Sequence, residues 1–275
     1  MNAIRGATIS LAGAAGTVGF IAHKRFIERL DALDQQLADA QVAAKARTDL
    51  PPEVSTLAKR LGASLKHPAR YVDLSQSGTM WFKPGASPQH FTARQRIGTS
   101  SSGFVWRAKI GPFGMTRVVD ALVNERGFLE ARLFGILRVA KIDGTAALTQ
   151  GEALRYLAEL PLNPDAILFD HALEWTVCDP RTITVATGTG ASRAEITLGL
   201  DKDGLILTAS AVSRAYGETD KHYPWHGRFC DYQEVNGRQI PMQAEVAWVI
   251  DGKDFIYWRG KMECWTPINF QPATK

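Results

Sequence analysis

Three segments near the C-terminus carry side chains whose types would matter chemically if they met. His226, Arg228 and Cys230 alternate along the first, Gln243 and Glu245 along the second, and Trp258 lies in the third. An imidazole, a guanidinium, a carboxylate and an indole on one wall would bind an anionic or amphiphilic group, or move protons on it. Register decides whether they meet. Asn236-Gly237 and Asp251-Gly252 supply the positive φ that two-residue hairpin loops require. Counting outward from the first turn sets Arg228 opposite Glu245 and Phe229 opposite Ala244. Counting from the second sets Glu245 opposite Trp258, Val246 opposite Tyr257 and Trp248 opposite Phe255. Phe229, Ala244, Val246, Trp248, Phe255 and Tyr257 then form a core face. His226, Arg228, Cys230, Gln243, Glu245, Ala247, Ile256 and Trp258 form a mixed face that reads as a cavity wall. The alternative is an exposed cross-strand ion pair, with Trp258 covered by an N-terminal helix.

A second polar face precedes it. A turn over Thr99 to Ser102 sets Arg94 opposite Arg107, and like charges directly opposite destabilise a sheet. An acidic group must lie over them, either Glu130 or an anionic ligand or lipid head group. Arg155 and Glu159 stand four apart on a helix that Thr149 and Glu152 open as a capping box and Pro161 closes. They form a surface pair unless the helix lies across the mouth of the sheet, where they join the ligand site.

Other motifs fail on inspection. Gly188-Thr189-Gly190 lacks the third glycine of a dinucleotide fingerprint and lies between strands, and Ser102 stands where a nucleophile elbow needs glycine. Pro224 between His222 and His226 forbids the helix that would aim both at one metal. No cofactor and no metal are expected.

The elements that must hold these residues are mostly strands. The chain has 275 residues, 45% hydrophobic and 22% charged, with a net charge of +4, so it is an ordinary globular protein with too small a basic excess to imply nucleic acid. From about residue 66 the hydrophobic period becomes two. Asp143-Gly144, Asp203-Gly204 and the two turns above punctuate it, which predicts a mainly β, α+β fold: a curved antiparallel sheet or open half-barrel with a helical lid. Cys178, Cys230 and Cys264 have no paired spacing and are expected as buried thiols.

Ahead of the sheet, Ala7 to Ala22 carries no charge and is flanked by Arg5 and by His23-Lys24-Arg25. At a rise of about 1.5 Å per residue it reaches roughly 24 Å, so it spans a bilayer only with help from its flanks. It is expected as an uncleaved single-pass anchor, with a slight cytoplasmic lean for the main domain from the flanking basic residues. Phe26, Leu30, Leu33, Leu37, Ala40 and Ala44 then mark one stripe of a helix, and Pro51-Pro52 ends the segment. The expected organisation is an anchor over 1–25, an amphipathic stalk helix over 26–50 and a β-sheet domain over 51–275.

The segments Arg155-Tyr156-Leu157-Ala158-Glu159, Leu173-Glu174-Trp175, Pro224-Trp225, Asp231-Tyr232 and Ile240-Pro241 through Trp248 resemble those of an uncharacterised bacterial family over roughly residues 50–265. Its members often carry an N-terminal membrane segment. The resemblance transfers positions and no reaction. In outline that family is similar to the lipoprotein-carrier group, whose curved antiparallel sheet wraps an apolar cavity under helical lids; this chain lacks that group's lipobox cysteine.

Together these readings predict a membrane-anchored binding module, with the bilayer as one partner and an amphiphilic or anionic small ligand such as a lipid as the other. Two alternatives stand beside it. One is an enzyme using Glu159, Asp231 or Glu245 as general acid or base with His226 or Arg228 as partner; the other is a membrane-proximal scaffold. Oligomeric state is left open.

Overall fold

The computed structural model describes residues 2–217, 219 and 221–270, with side chains from Gly19 onward. Its described strands form one continuous antiparallel sheet of 13 strands. The first meander comprises β1 (Ala69–Met80), β2 (Gln89–Gly98), β3 (Phe104–Ile110), β4 (Thr116–Val123), β5 (Arg126–Leu133) and β6 (Leu137–Asp143). The second comprises β7 (Glu174–Asp179), β8 (Thr182–Thr187), β9 (Ala194–Leu200), β10 (Ile206–Ala215), β11 (His222–Val235), β12 (Arg238–Ile250) and β13 (Lys253–Asn269). β1 pairs with β13 and joins the two meanders, leaving β6 and β7 as the outer edges.

The chain passes from one edge to the other through α3 (Ala146–Ala158) and the short α4 (Asp165–Phe169), following α1 (Asn2–Ala40) and α2 (Pro52–Arg60) near the N-terminus. α3 touches β4 and β5 of one arm and β8, β9 and β10 of the other. Strands so distant in sheet order can meet a single helix only if the sheet curls around it. The result is the curved, half-open antiparallel sheet with an internal helix that the hairpin punctuation predicts.

Period-two alternation gives the sheet two working faces. On β3, Phe104, Trp106, Ala108 and Ile110 point into the concave core, while Val105 points outward to α1. Phe26, Leu30 and Leu37 of α1 bury against Val105, Val119, Ala121, Val123 and Phe128 on that outer side. The helix therefore roofs β2 to β5.

α1 also corrects the reading of the N-terminus. It is one unbroken helix from Asn2 to Ala40, and among the described residues no helix is long and apolar enough to cross a membrane. The single-pass anchor, with its membrane localisation, is withdrawn. The run Ala7–Ala22 is mostly glycine, alanine, serine and threonine, too weakly apolar and too short for a bilayer core of about 30 Å. Side chains up to residue 18 of that run lie outside the described residues.

Two further expectations change. The three cysteines are free and exposed rather than buried, because Cys230 occupies an outward-facing strand position and Cys178 and Cys264 likewise meet solvent. α3 begins a turn earlier than the capping box suggests: Thr145 is the cap and accepts from the Leu148 amide at 3.2 Å. Thr149 Oγ1 instead accepts from the Gly127 amide, and Glu152 becomes a buried interior residue.

Candidate functional site

The turn at Asn236-Gly237 sets the pairing counted from sequence, with Val235 opposite Arg238, Arg228 opposite Glu245 and Phe229 opposite Ala244. The turn at Asp251-Gly252 holds as far as Ala247 opposite Ile256, after which β13 gains a residue. Val246 then faces Trp258, and Glu245 faces Arg259. A bulge of this kind turns the following side chain to the other side of the sheet. Trp258 is thereby moved off the mixed face and onto the face of Val246 and Trp248.

That face lines the cavity. A space of about 750 Å³ lies between α3 and the concave sheet. Trp225, Phe229, Trp248 and Trp258 supply much of its wall, with Trp106 and Met80 beside them. Trp258 stacks on Phe91 at 5.6 Å, and Trp248 lies 6.0 Å from Tyr257. The hydroxyl of Tyr257 accepts from Trp225 Nε1 at 3.1 Å, so the indole donor is satisfied without breaking the apolar surface.

One end of the cavity is charged. Arg155, from α3, donates through Nη1 to Asp120 Oδ2 at 2.7 Å and through Nε to Glu159 Oε1 at 2.9 Å. Its guanidinium also lies 4.6 Å from the Phe104 ring and 5.1 Å from that of Trp106. Burial opposes the charge on Arg155, but Glu159, Asp120 and Glu152 outweigh it and hold the pKa above its ordinary value. Gln95 donates to the second oxygen of Glu159. Burial first and the neighbouring Asp120 second push the Glu152 carboxyl well above the usual carboxylate range. Across the space, Arg214 of β10 lies 4.8 Å from the Trp225 ring and 5.6 Å from that of Trp248.

The residues nominated from sequence divide between the two faces. Arg155, Glu159 and Trp258 line the cavity. His226, Arg228 and Glu245 face outward, where Glu245 pairs with Arg259 at 3.2 Å and His226 with Asp254 at 3.2 Å. Arg228 and Asp231 are exposed, so the structure does not gather a carboxylate and an imidazole from this set inside the cavity. Arg94 does pair with Arg107, and the acidic cover their juxtaposition requires comes from α1. Arg107 reaches Asp31 at 3.1 Å and also binds Asp34. Arg94 stays exposed. Glu130 is committed elsewhere, to Arg29 at 2.9 Å and Arg132 at 2.6 Å.

Sequence reading did not nominate Asp120, Glu152 or Arg214 for the site. Asp120 had a faint signal, being a charged residue in step with the inward-facing Val118 and Leu122, whereas Arg214 is out of step with Ala209 and Ala211 and turns inward only after a strand irregularity between Ala211 and Arg214. Glu152 had none, because the same spacing from Thr149 fits an ordinary capping box.

Fold and site together define a protein with an open antiparallel sheet curled around a central helix, enclosing a ligand-sized cavity that is aromatic on its walls and ionic at one end. As the Arg155–Glu159 helix and the Pro-Trp and Ile-Pro strands imply, the chain belongs to a family of unknown function, DUF6544, whose model matches residues 40–260. No curated protein matches the chain. Among solved structures it is similar to a LolA-superfamily protein from Nitrosomonas europaea, with 8% identity and a TM-score of 0.42 over 80% of this chain and 94% of that one. It is also similar to a putative outer membrane lipoprotein-sorting protein domain from Vibrio parahaemolyticus, with 9% identity and a TM-score of 0.45 over 81% and 93%. Both likenesses are of outline alone.

Proposed function

We propose that this chain is a binding protein for an amphiphilic small molecule, whose apolar part lies along Trp225, Trp248 and Trp258 and whose polar end meets Arg155 and Arg214. The observation that carries this reading is the continuity of one cavity of about 750 Å³ from an aromatic wall to a buried ionic cluster. A volume in this range suits a ligand of drug or single-chain lipid size, held by burial with a few polar contacts for orientation. A purely apolar ligand would leave the ionic end unused, and a purely polar one would forfeit the aromatic wall.

The test is extraction of protein purified without detergent into organic solvent, followed by mass spectrometry, together with uptake of the neutral fluorescent probe N-phenyl-1-naphthylamine. A co-purifying amphiphile, or saturable probe binding abolished by filling the cavity with Ala244→Trp, is expected. Clean extracts combined with absent probe binding would overturn the reading.

A further inference from the structure

The two guanidinium groups at the ionic end of the cavity keep unequal company. Arg155 holds two carboxylates, Asp120 at 2.7 Å and Glu159 at 2.9 Å, and its charge is more than balanced. Arg214 has no ion pair among the described residues; it lies against the rings of Trp225 and Trp248 at 4.8 and 5.6 Å. It passes close to α3 at Gly151, where an added Cβ would stand 3.6 Å from Arg214 Nε. The acidic group next along that helix is Glu152, whose carboxyl burial and Asp120 push well above the usual carboxylate range, and among the described residues it forms no ion pair with Arg214.

Two carboxyl groups lie at the same end. Glu152 is 3% exposed, and its carboxyl hydrogen-bonds to that of Asp120, so the two groups serve each other. An ammonium group is a poor candidate. It would approach two guanidinium groups, and the nearby Asp120 is already paired with Arg155.

We propose that this end of the cavity is a head-group subsite for an acidic amphiphile, its carboxylate or phosphate on Arg214. This assignment rests on the binding reading above and adds to it the charge of the ligand. The Trp225 and Trp248 rings beside the partly buried Arg214 lower the polarity around the contact, which raises its worth over that of a fully exposed ion pair.

The experiment displaces N-phenyl-1-naphthylamine from the whole protein with competitors sharing one chain length: dodecanol, dodecanoate and dodecyltrimethylammonium, each below its micellar concentration, with acetate as the chainless anion. Dodecanoate is expected to compete about tenfold more strongly than dodecanol, the gain of one charge-assisted hydrogen bond. The ammonium and acetate are expected to compete least. Arg214→Gln should erase the advantage of the acid over dodecanol, and Arg214→Lys should retain most of it.

Equal competition by dodecanoate and dodecanol in the wild-type protein would overturn the subsite while leaving the binding reading in place. So would an Arg214→Gln variant that weakens acid and alcohol alike, which marks a packing role, or acetate competing as well as dodecanoate, which marks a bare anion site. Failure of every chain-bearing compound to bind or displace would overturn both.

Discussion

Trp258 lies nearly flat on Phe91, with ring centroids 5.6 Å apart and planes 28° from parallel. The stack exists because β13 bulges before Trp258 and because Gly78 and Gly260 face each other beneath it. A Cβ at Gly260 would stand 2.1 Å from the Trp258 ring, and a Cβ at Gly78 would stand 2.0 Å from the Arg259 carbonyl oxygen.

Both glycines are therefore expected to resist substitution, and unequally. Gly260→Ala pushes against a side chain that can tilt, at a cost of about 1–3 kcal/mol, whereas Gly78→Ala pushes against backbone and should cost more. Denaturant unfolding of the two variants measures the order. Equal, small effects would mean that the ring does not occupy this position.

Asp165 joins α4 to the starts of β1 and β12, near the middle of the sheet. Its carboxylate accepts from the Ser64 and Ala69 amides at 2.8 Å each and from Arg238 Nη2 at 2.6 Å, and the pair is 1% and 8% exposed. Asp165→Ala strands a buried guanidinium and two amides, so a loss of about 3–5 kcal/mol is expected in urea unfolding. A loss below about 1 kcal/mol would show that the pair is solvated.

Glu152 ties stability to pH. In the folded protein burial, reinforced by Asp120, raises its pKa above the ordinary 4.5, so between the two values the folded state binds more protons than the unfolded chain. Its contribution is therefore complete below pH 4.5 and is lost as pH rises through the folded value. Asp170, raised by burial, acts in the same direction from 3.8. Glu152→Gln should flatten the decline in thermal midpoint as pH rises above 4.5, leaving the parts due to Asp170 and Asp34, which burial also raises. A slope identical to that of the wild-type protein would show that Glu152 ionises normally.

Phe26 anchors α1 to the outer face. It is 1% exposed, and Arg132 lies 4.8 Å from its ring. Phe26→Ala should cost about 3–5 kcal/mol of whatever stability α1 shares with the sheet. Limited proteolysis should then cut between α1 and α2 before the sheet is lost. Unchanged resistance to protease would mean that α1 is held chiefly by Arg107, Asp31 and Asp34.

The hairpin chemistry of this chain was legible because it is local. Asn236 and Gly237 have φ of 51° and 75°, the left-handed geometry that a two-residue turn demands, and that geometry carries the register along β11 and β12 to Arg228 and Glu245. The collision of Arg94 with Arg107 was legible for the same reason, together with the need for an acidic cover. What supplied that cover was not: Asp31 and Asp34 are more than sixty positions away in sequence and arrive only when α1 folds over the sheet.

The face that carries the cavity was decided by tertiary structure. One extra residue at Tyr257 sends Trp258 inward, and nothing in the alternation of β13 marks it, because aromatic residues stand on both sides of the break. Glu152 shows the same limit: its spacing from Thr149 satisfies a helix-capping pattern, yet the curled sheet buries it beside Asp120 and makes it part of the ionic end. By itself the sequence determined the turns, the strand pairings adjacent to them and the charges that needed partners, since each depends on backbone geometry within a few residues. The inside of the sheet, and with it the site, was determined by packing among strands and helices far apart in the chain, since only there do volume and burial act.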